Sequence, residues 1–286
     1  MNQSNREIKF FGIGPQRTAS SWLDFMLREH DGIALPHQVK ETMFFDQRYA
    51  KGMDWYLHHF NQAGDRICGE IAPTYFDSKE ALENVHRHYP NAKIIINVRN
   101  PIARCHSLFR HHLSKGRVPN DFAQALKKMP RILESGHYQQ YCEAWEKQFD
   151  GNVIYLVQED IESEPLSVMQ DVCEFIGAAP MENKPEFANE KINSATAPKS
   201  IVVAKVLSTT ATLLRSLRLH SLVNAGKNLG LKKAYQGGKT PAPLTPENVE
   251  FLSEYFNKDI TWLENRLNRD FQSWLIPPAP NPDQAS

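Results

Sequence analysis

Short apolar runs alternate along this chain with longer stretches in which apolar residues recur every three or four positions. Four runs have strand length and composition: Ile8 to Ile13, Ile67 to Ala72, Lys93 to Arg99 ("KIIINVR") and Val153 to Val157 ("VIYLV"). Helical spacing occupies Ser20 to His30, Ser78 to Tyr89, Pro101 to Leu113, Asp121 to Glu134, Tyr138 to Phe149 and Glu164 to Ile176, with Gly177 placed to cap the last. The stretch "PLTPENVEFLSEYFNKDITWLENRL" reads as a late helical pair, with Thr245 as N-cap and Pro246 in its first turn. Apolar strands separated by helices predict an α/β fold whose mainly parallel central sheet is covered by helices on both faces. Residues 1–270 read as one domain and 271–286, ending "IPPAPNPDQAS", as a flexible C-terminal tail.

Charge changes this picture only locally. Lys and Arg total 33, as do Asp and Glu, so no global charge points to nucleic acid or to an anionic membrane. Between Lys191 and Pro246, however, there is no acidic residue, while Lys199, Lys205, Arg215, Arg218, Lys232 and Lys233 all fall inside. Segment 191–246 is therefore expected to be a basic lid or insertion, and 200–223 within it can make contact with a membrane surface. Cys68, Cys105, Cys142 and Cys173 are widely spaced and lack C-x-x-C pairing, which argues for buried thiols in a reducing compartment rather than for zinc or a disulfide framework. The N-terminus has no apolar signal-peptide core, and no run approaches the ~20 apolar residues of a membrane span. A cytoplasmic location is expected.

The chemistry concentrates in "KFFGIGPQRTASSWLDFML", Lys9 to Leu27. An apolar strand, a Gly14-Pro15 turn, a polar segment and a helix make a cradle for a phosphate, because a helix start offers N–H donors and a positive dipole end. A kinase-type loop, G-x-x-x-x-G-K-[ST], needs glycine and lysine where this chain has Ala19 and Ser20. The loop's cation is Arg17.

Four stretches, in order, resemble the PAPS-dependent sulfotransferase family, whose donor is 3′-phosphoadenosine 5′-phosphosulfate. "GPQRTASSWL" is similar to the 5′-phosphosulfate loop, "KETMFFD" with "GMDWY" to the Lys-Glu-x-x-Phe-Phe segment of the glycan-directed branch, "GEIAPTYF" to its Glu-Lys-[ST]-Pro-x-Tyr-Phe segment, and "NVRNPIARCHSLFRH" to the 3′-phosphate motif. The resemblance implies a three-layer fold like that of P-loop NTPases and sulfuryl transfer to a hydroxyl or amine, on a saccharide or glycolipid acceptor, without metal. Arg17, Thr18, Ala19, Ser20, Ser21 and Trp22 would hold the donor's 5′ end and adenine. Arg99 and Ser107 would grip its 3′-phosphate, a task suited to a guanidinium fork at the carboxyl end of a strand. A late basic loop often completes the pocket in this fold, and Asn193 and Lys199 stand at about that place in order.

Many relatives carry lysine where this chain has Arg17. Arginine keeps the charge but, with a pKa above ~12, is a poor proton donor, so Arg17 is expected to stabilise the transferring group electrostatically. Lys40 is a second cation or an acceptor contact. Glu41 matches the general base of glycan sulfotransferases, with Phe44 supplying an apolar setting able to raise its pKa; His58 and His59 stand in reserve. Lys40, Phe44, Pro73 and Tyr75 are implied on the acceptor side, while Met43 and Ile71 replace a histidine and a lysine found in that branch, making the side less polar. Two other readings are an ATP-dependent small-molecule kinase, for which Asp160 is the available metal-holding carboxylate, and a non-catalytic donor-binding protein.

Overall fold

The computed structural model describes residues 6–181 and 243–275. Its centre is a five-stranded, all-parallel sheet in the order β2-β3-β1-β4-β5. The strands are β1 (Phe10–Gly12), β2 (Ile33–Ala34), β3 (Ile67–Ile71), β4 (Lys93–Val98) and β5 (Val153–Val157). Four of them lie within the apolar runs; β2 is too short to show a period.

Alternation along the central strands divides the core into two layers, one on each face. Phe10 of β1 and Ile95 of β4 pack with Leu23, Met26 and Leu27 of α1 (Ser20–Arg28) and with Val168, Met169 and Val172 of a helix at Pro165–Ile176. Their neighbours Phe11, Ile94 and Ile96 join the opposite layer. That layer is built from α3 (Lys79–His88), α4 (Pro101–Ser114), a helix at Tyr138–Gln148 and the late helix Pro246–Leu267, with the short helix α2 (Met53–Leu57) beside them. Close approach is enforced at Gly69, where an added Cβ would come within 2.2 Å of the Phe10 ring on the paired strand.

Three expectations change. The single helix over Asp121 to Glu134 is broken into Phe122–Lys128 and Arg131–Glu134 at Pro130, whose ring disfavours helix in the residue before it. The late helical pair is one continuous helix, with Thr245 Oγ1 accepting from the Asn248 amide at 3.2 Å as its cap. Residues 271–275, assigned to the tail, instead pack: Phe271 and Trp274 are buried and stacked at 4.1 Å, and the Trp274 carbonyl accepts from Asn100 Nδ2 at 3.0 Å. Among the described residues no helix is long and apolar enough to cross a membrane.

Candidate active site

The chain leaves β1, forms β2 and β3 on one side of it, then crosses to β4 and β5 on the other. Such a reversal opens a crevice at the carboxyl ends of β1 and β4, the usual ligand position in open α/β sheets. The loop after β1 enters this crevice pressed against β4: Ile13 N donates to Ile95 O at 2.9 Å, and a Cβ on Gly14 would lie 2.4 Å from the Asn97 amide nitrogen. Only glycine fits there.

The loop is then wound tightly by its own side chains. Thr18 is fully buried and its hydroxyl donates to Pro15 O at 2.6 Å, so it shapes the turn. Arg17 and Ala19 have φ of 77° and 61°, a left-handed conformation that costs about 1–2 kcal/mol for each non-glycine residue. Ala19 thus adopts the backbone for which a kinase-type loop uses glycine, and it serves as the N-cap of α1, accepting from the Trp22 and Leu23 amides. Strain of this kind persists where the surroundings over-determine it, and it concentrates at ligand-binding loops.

Cations converge on the turn. Arg99, just past β4, donates from Nη1 to Arg17 O at 3.1 Å, while its own amide and carbonyl are held by the Tyr138 hydroxyl at 3.1 and 2.8 Å. Arg17 Nε donates to Ser107 Oγ at 3.0 Å, one turn and a half into α4. Burial, then the charges of Arg99 and Arg110, push the Arg17 pKa down, and burial does the same to Arg99. Along α4, burial and then Arg17 hold His111 at about 3, and burial with Arg117 holds His112 at about 4, so both imidazoles are neutral near pH 7. Mutually repelling guanidinium groups held together at the head of a helix fit a multiply charged anion such as a phosphorylated nucleotide.

Lys40 and Glu41 approach the same helix end from the loop after β2. Lys40 Nζ donates to Ser20 Oγ at 3.2 Å and to Ser21 Oγ at 3.0 Å, and lies 3.6 Å from Glu41 Oε1. Burial raises the Glu41 pKa, Lys40 opposes that rise, and Asp24 and Asp46 add to it. The Glu41 side chain keeps 19% of its exposure, enough to meet an acceptor.

What fixes Glu41 in place was not legible beforehand. Glu70, fully buried on β3, accepts from Thr42 N at 2.8 Å and Thr42 Oγ1 at 2.6 Å through Oε1, and from the Tyr75 hydroxyl at 3.2 Å through Oε2. Tyr75 Oη in turn accepts from the Phe44 and Phe45 amides at 3.0 and 3.2 Å. The backbone following Glu41 is therefore tied to the sheet. Burial pushes Glu70 up to about 7, against the hydrogen bonds from Thr42 that lower it. A carboxylate inside the apolar strand "ICGEI" is the one signal in the sequence that could have pointed to it.

The same network surrounds three of the residues implied on the acceptor side. Phe44, Pro73 and Tyr75 are buried, Phe44 stacking on Tyr56 at 4.9 Å, and the Tyr75 hydroxyl holds the backbone that follows the Lys40–Glu41 pair. Trp22, on α1, is 6% exposed and packs in the core layer with Leu23 and Met26. His59 is packed against Trp55 at 4.7 Å, and His58 is exposed. Asp160, the carboxylate a kinase would need, is paired with Arg269 at 2.6 Å. Asn193, Lys199 and segment 200–223 lie outside the described residues.

Comparison with known proteins points the same way as the geometry. The family model described as "Sulfotransferase domain" matches residues 7–260. The mouse bifunctional heparan sulfate N-deacetylase/N-sulfotransferase 4 is 28% identical over 294 residues, covering 93% of this chain and 31% of that protein. The human bifunctional heparan sulfate N-deacetylase/N-sulfotransferase 3 is 27% identical over 301 residues, with 95% and 31% covered. The chain spans less than a third of the length of these curated relatives. In fold it is similar to a crystallised sulfotransferase from Alicyclobacillus acidocaldarius, with a TM-score of 0.67 at 20% identity over 94% of this chain and 99% of that one.

Proposed function

The chain belongs to the sulfotransferase domain family, and on that premise we propose that it transfers a sulfuryl group from 3′-phosphoadenosine 5′-phosphosulfate to a hydroxyl or amine of a saccharide acceptor. The observation that carries the reading is the convergence of Arg17, Arg99, Ser107 and the Lys40–Glu41 pair on the N-terminus of α1. Similarity to heparan sulfate N-sulfotransferases supports a saccharide and keeps the amine in play.

The donor, when bound, supplies the sulfuryl group and a phosphate that leaves as a stable anion. Arg99 and Ser107 are assigned to its 3′-phosphate, and the turn at Arg17 to Ser21 to its 5′ end. Arg17 keeps its proton throughout, because a guanidinium is effectively always charged in a protein, so it acts by fixed charge. Glu41 takes the proton from the acceptor's O–H or N–H as that atom forms its bond to sulfur; its raised pKa suits this work near neutral pH. Positioning by the Glu70 and Tyr75 network keeps the carboxylate still, which matters because a misplacement of about 1 Å can cost about 10²-fold in rate.

Incubation of the protein with donor labelled in the sulfuryl group and a panel of saccharides, some with free amines and some with hydroxyls only, tests the reading. Label is expected in a saccharide fraction together with stoichiometric adenosine 3′,5′-bisphosphate. Label released from the donor only as inorganic sulfate, whichever acceptor is offered, would count against saccharide transfer.

A further inference from the structure

Lys40 has an unusual set of partners. Its ammonium touches both hydroxyls at the first turn of α1, Ser20 Oγ at 3.2 Å and Ser21 Oγ at 3.0 Å, and on its other side faces Glu41 Oε1 at 3.6 Å. The donor loop and the base therefore meet at one cation. Arg17 is engaged differently: its Nε donates to Ser107 Oγ and its carbonyl accepts from Arg99. Nor does β3 supply a cation near by, since Ile71 stands at its end and is buried.

Resting on the sulfotransferase reading, we propose that Lys40 is a shared cation, bound to the donor's 5′ anionic end at the head of α1 and to the Glu41 carboxylate, so that filling the donor site strengthens the base. The sign follows from electrostatics. Before donor binds, Lys40 lowers the proton affinity of Glu41, opposing burial and the nearby Asp24 and Asp46. Asp24 is itself held by Arg28 at 3.1 Å, and Arg48 is directed to the Thr42 carbonyl, so Lys40 is the cation closest in role to Glu41. A 5′-phosphate or phosphosulfate arriving at Ser20 and Ser21 adds negative charge and draws the ammonium toward itself. Both effects raise the proton affinity of Glu41. The carboxylate thereby becomes a better base when there is a sulfuryl group to receive its acceptor, and a weaker one otherwise.

The coupling is a linkage and is measured without turnover. The protein is titrated with adenosine 3′,5′-bisphosphate by calorimetry, in buffers of different ionisation enthalpy, at a series of pH values from the ordinary carboxylate range upward. The proton uptake that accompanies binding is then compared among wild type, Glu41→Gln, Lys40→Met and Lys40→Arg. Wild type is expected to take up more protons than Glu41→Gln, the difference being the share due to Glu41. Lys40→Met is expected to bind about tenfold more weakly, the scale of one lost charge-assisted hydrogen bond, and to show a smaller difference, because the part of the uptake carried by the ammonium is gone. Lys40→Arg should recover both within about threefold, since it restores the charge. Lys40→Met that binds as wild type does, with the same uptake, overturns the proposal and leaves the functional reading standing. Failure of wild type to bind the bisphosphate at all removes the functional reading, and this proposal with it.

Discussion

Arg99 reaches back from the end of β4 to donate from Nη1 to the carbonyl of Arg17 at 3.1 Å, across 82 positions of sequence. The residue assigned to the donor's 3′-phosphate thus also holds the turn assigned to its 5′ end. Both halves of the proposed nucleotide site share one guanidinium.

Replacing Arg99 with alanine is expected to weaken binding of adenosine 3′,5′-bisphosphate by about 2–4 kcal/mol, the scale for removing one partner of a buried charged contact. Part of that loss comes from the freed Arg17 turn. Calorimetry with ADP gives the control: wild type should prefer the 3′-phosphorylated nucleotide, and Arg99→Ala should lose the preference. Equal affinity of wild type for the two nucleotides would sink the assignment.

Glu41→Gln should lower turnover by about 10²–10⁴, the usual contribution of a positioned base, with bisphosphate affinity changed little. Because burial raises the Glu41 pKa, the acid limb of the rate profile should lie above the ordinary carboxylate range of about 4.3, with activity rising as pH rises through it. Near-normal turnover in Glu41→Gln would move the base elsewhere.

Glu70 makes stability depend on pH in the direction opposite to a salt-bridged carboxylate. Its folded pKa, about 7 against a reference of 4.5, means that its protonated form favours the fold. The contribution is complete below the unfolded pKa and is lost as pH rises through the folded one, a fall of about 3 kcal/mol between those values. Urea unfolding of wild type and Glu70→Gln at a series of pH values should show this fall in wild type only. Parallel curves for the two proteins would refute it.

Gly14→Ala should destabilise the protein by about 1–3 kcal/mol, as overpacking does, because the new methyl would meet the backbone of Asn97 at 2.4 Å. The displaced atoms belong to β4, two residues before Arg99, so nucleotide binding should weaken along with the thermal midpoint. A variant with unchanged midpoint and unchanged binding would show that the loop is not pressed on the strand.

Pattern along the chain determined the elements and much of the chemistry. Apolar runs marked β1, β3, β4 and β5, and the strand, turn and helix at Lys9 to Leu27 marked the candidate anion site, because strand pleat, helix period and turn chemistry are local properties of a sequence. The motif order likewise pointed to Arg17, Arg99, Ser107 and Glu41. Only the tertiary structure decided how they are held. Sheet order β2-β3-β1-β4-β5 puts Arg17 beside Ser107, 90 positions away, and brings Glu70 under Thr42, 28 positions earlier. It also separates what looked alike in the motifs: Glu41 stays accessible, whereas Phe44 and Tyr75 sink into the core. Lys40 could be read as any surface lysine until the fold set it on Ser20 and Ser21. Spacing along a strand or helix is written in the chain, but burial and the meeting of distant charges depend on which elements become neighbours.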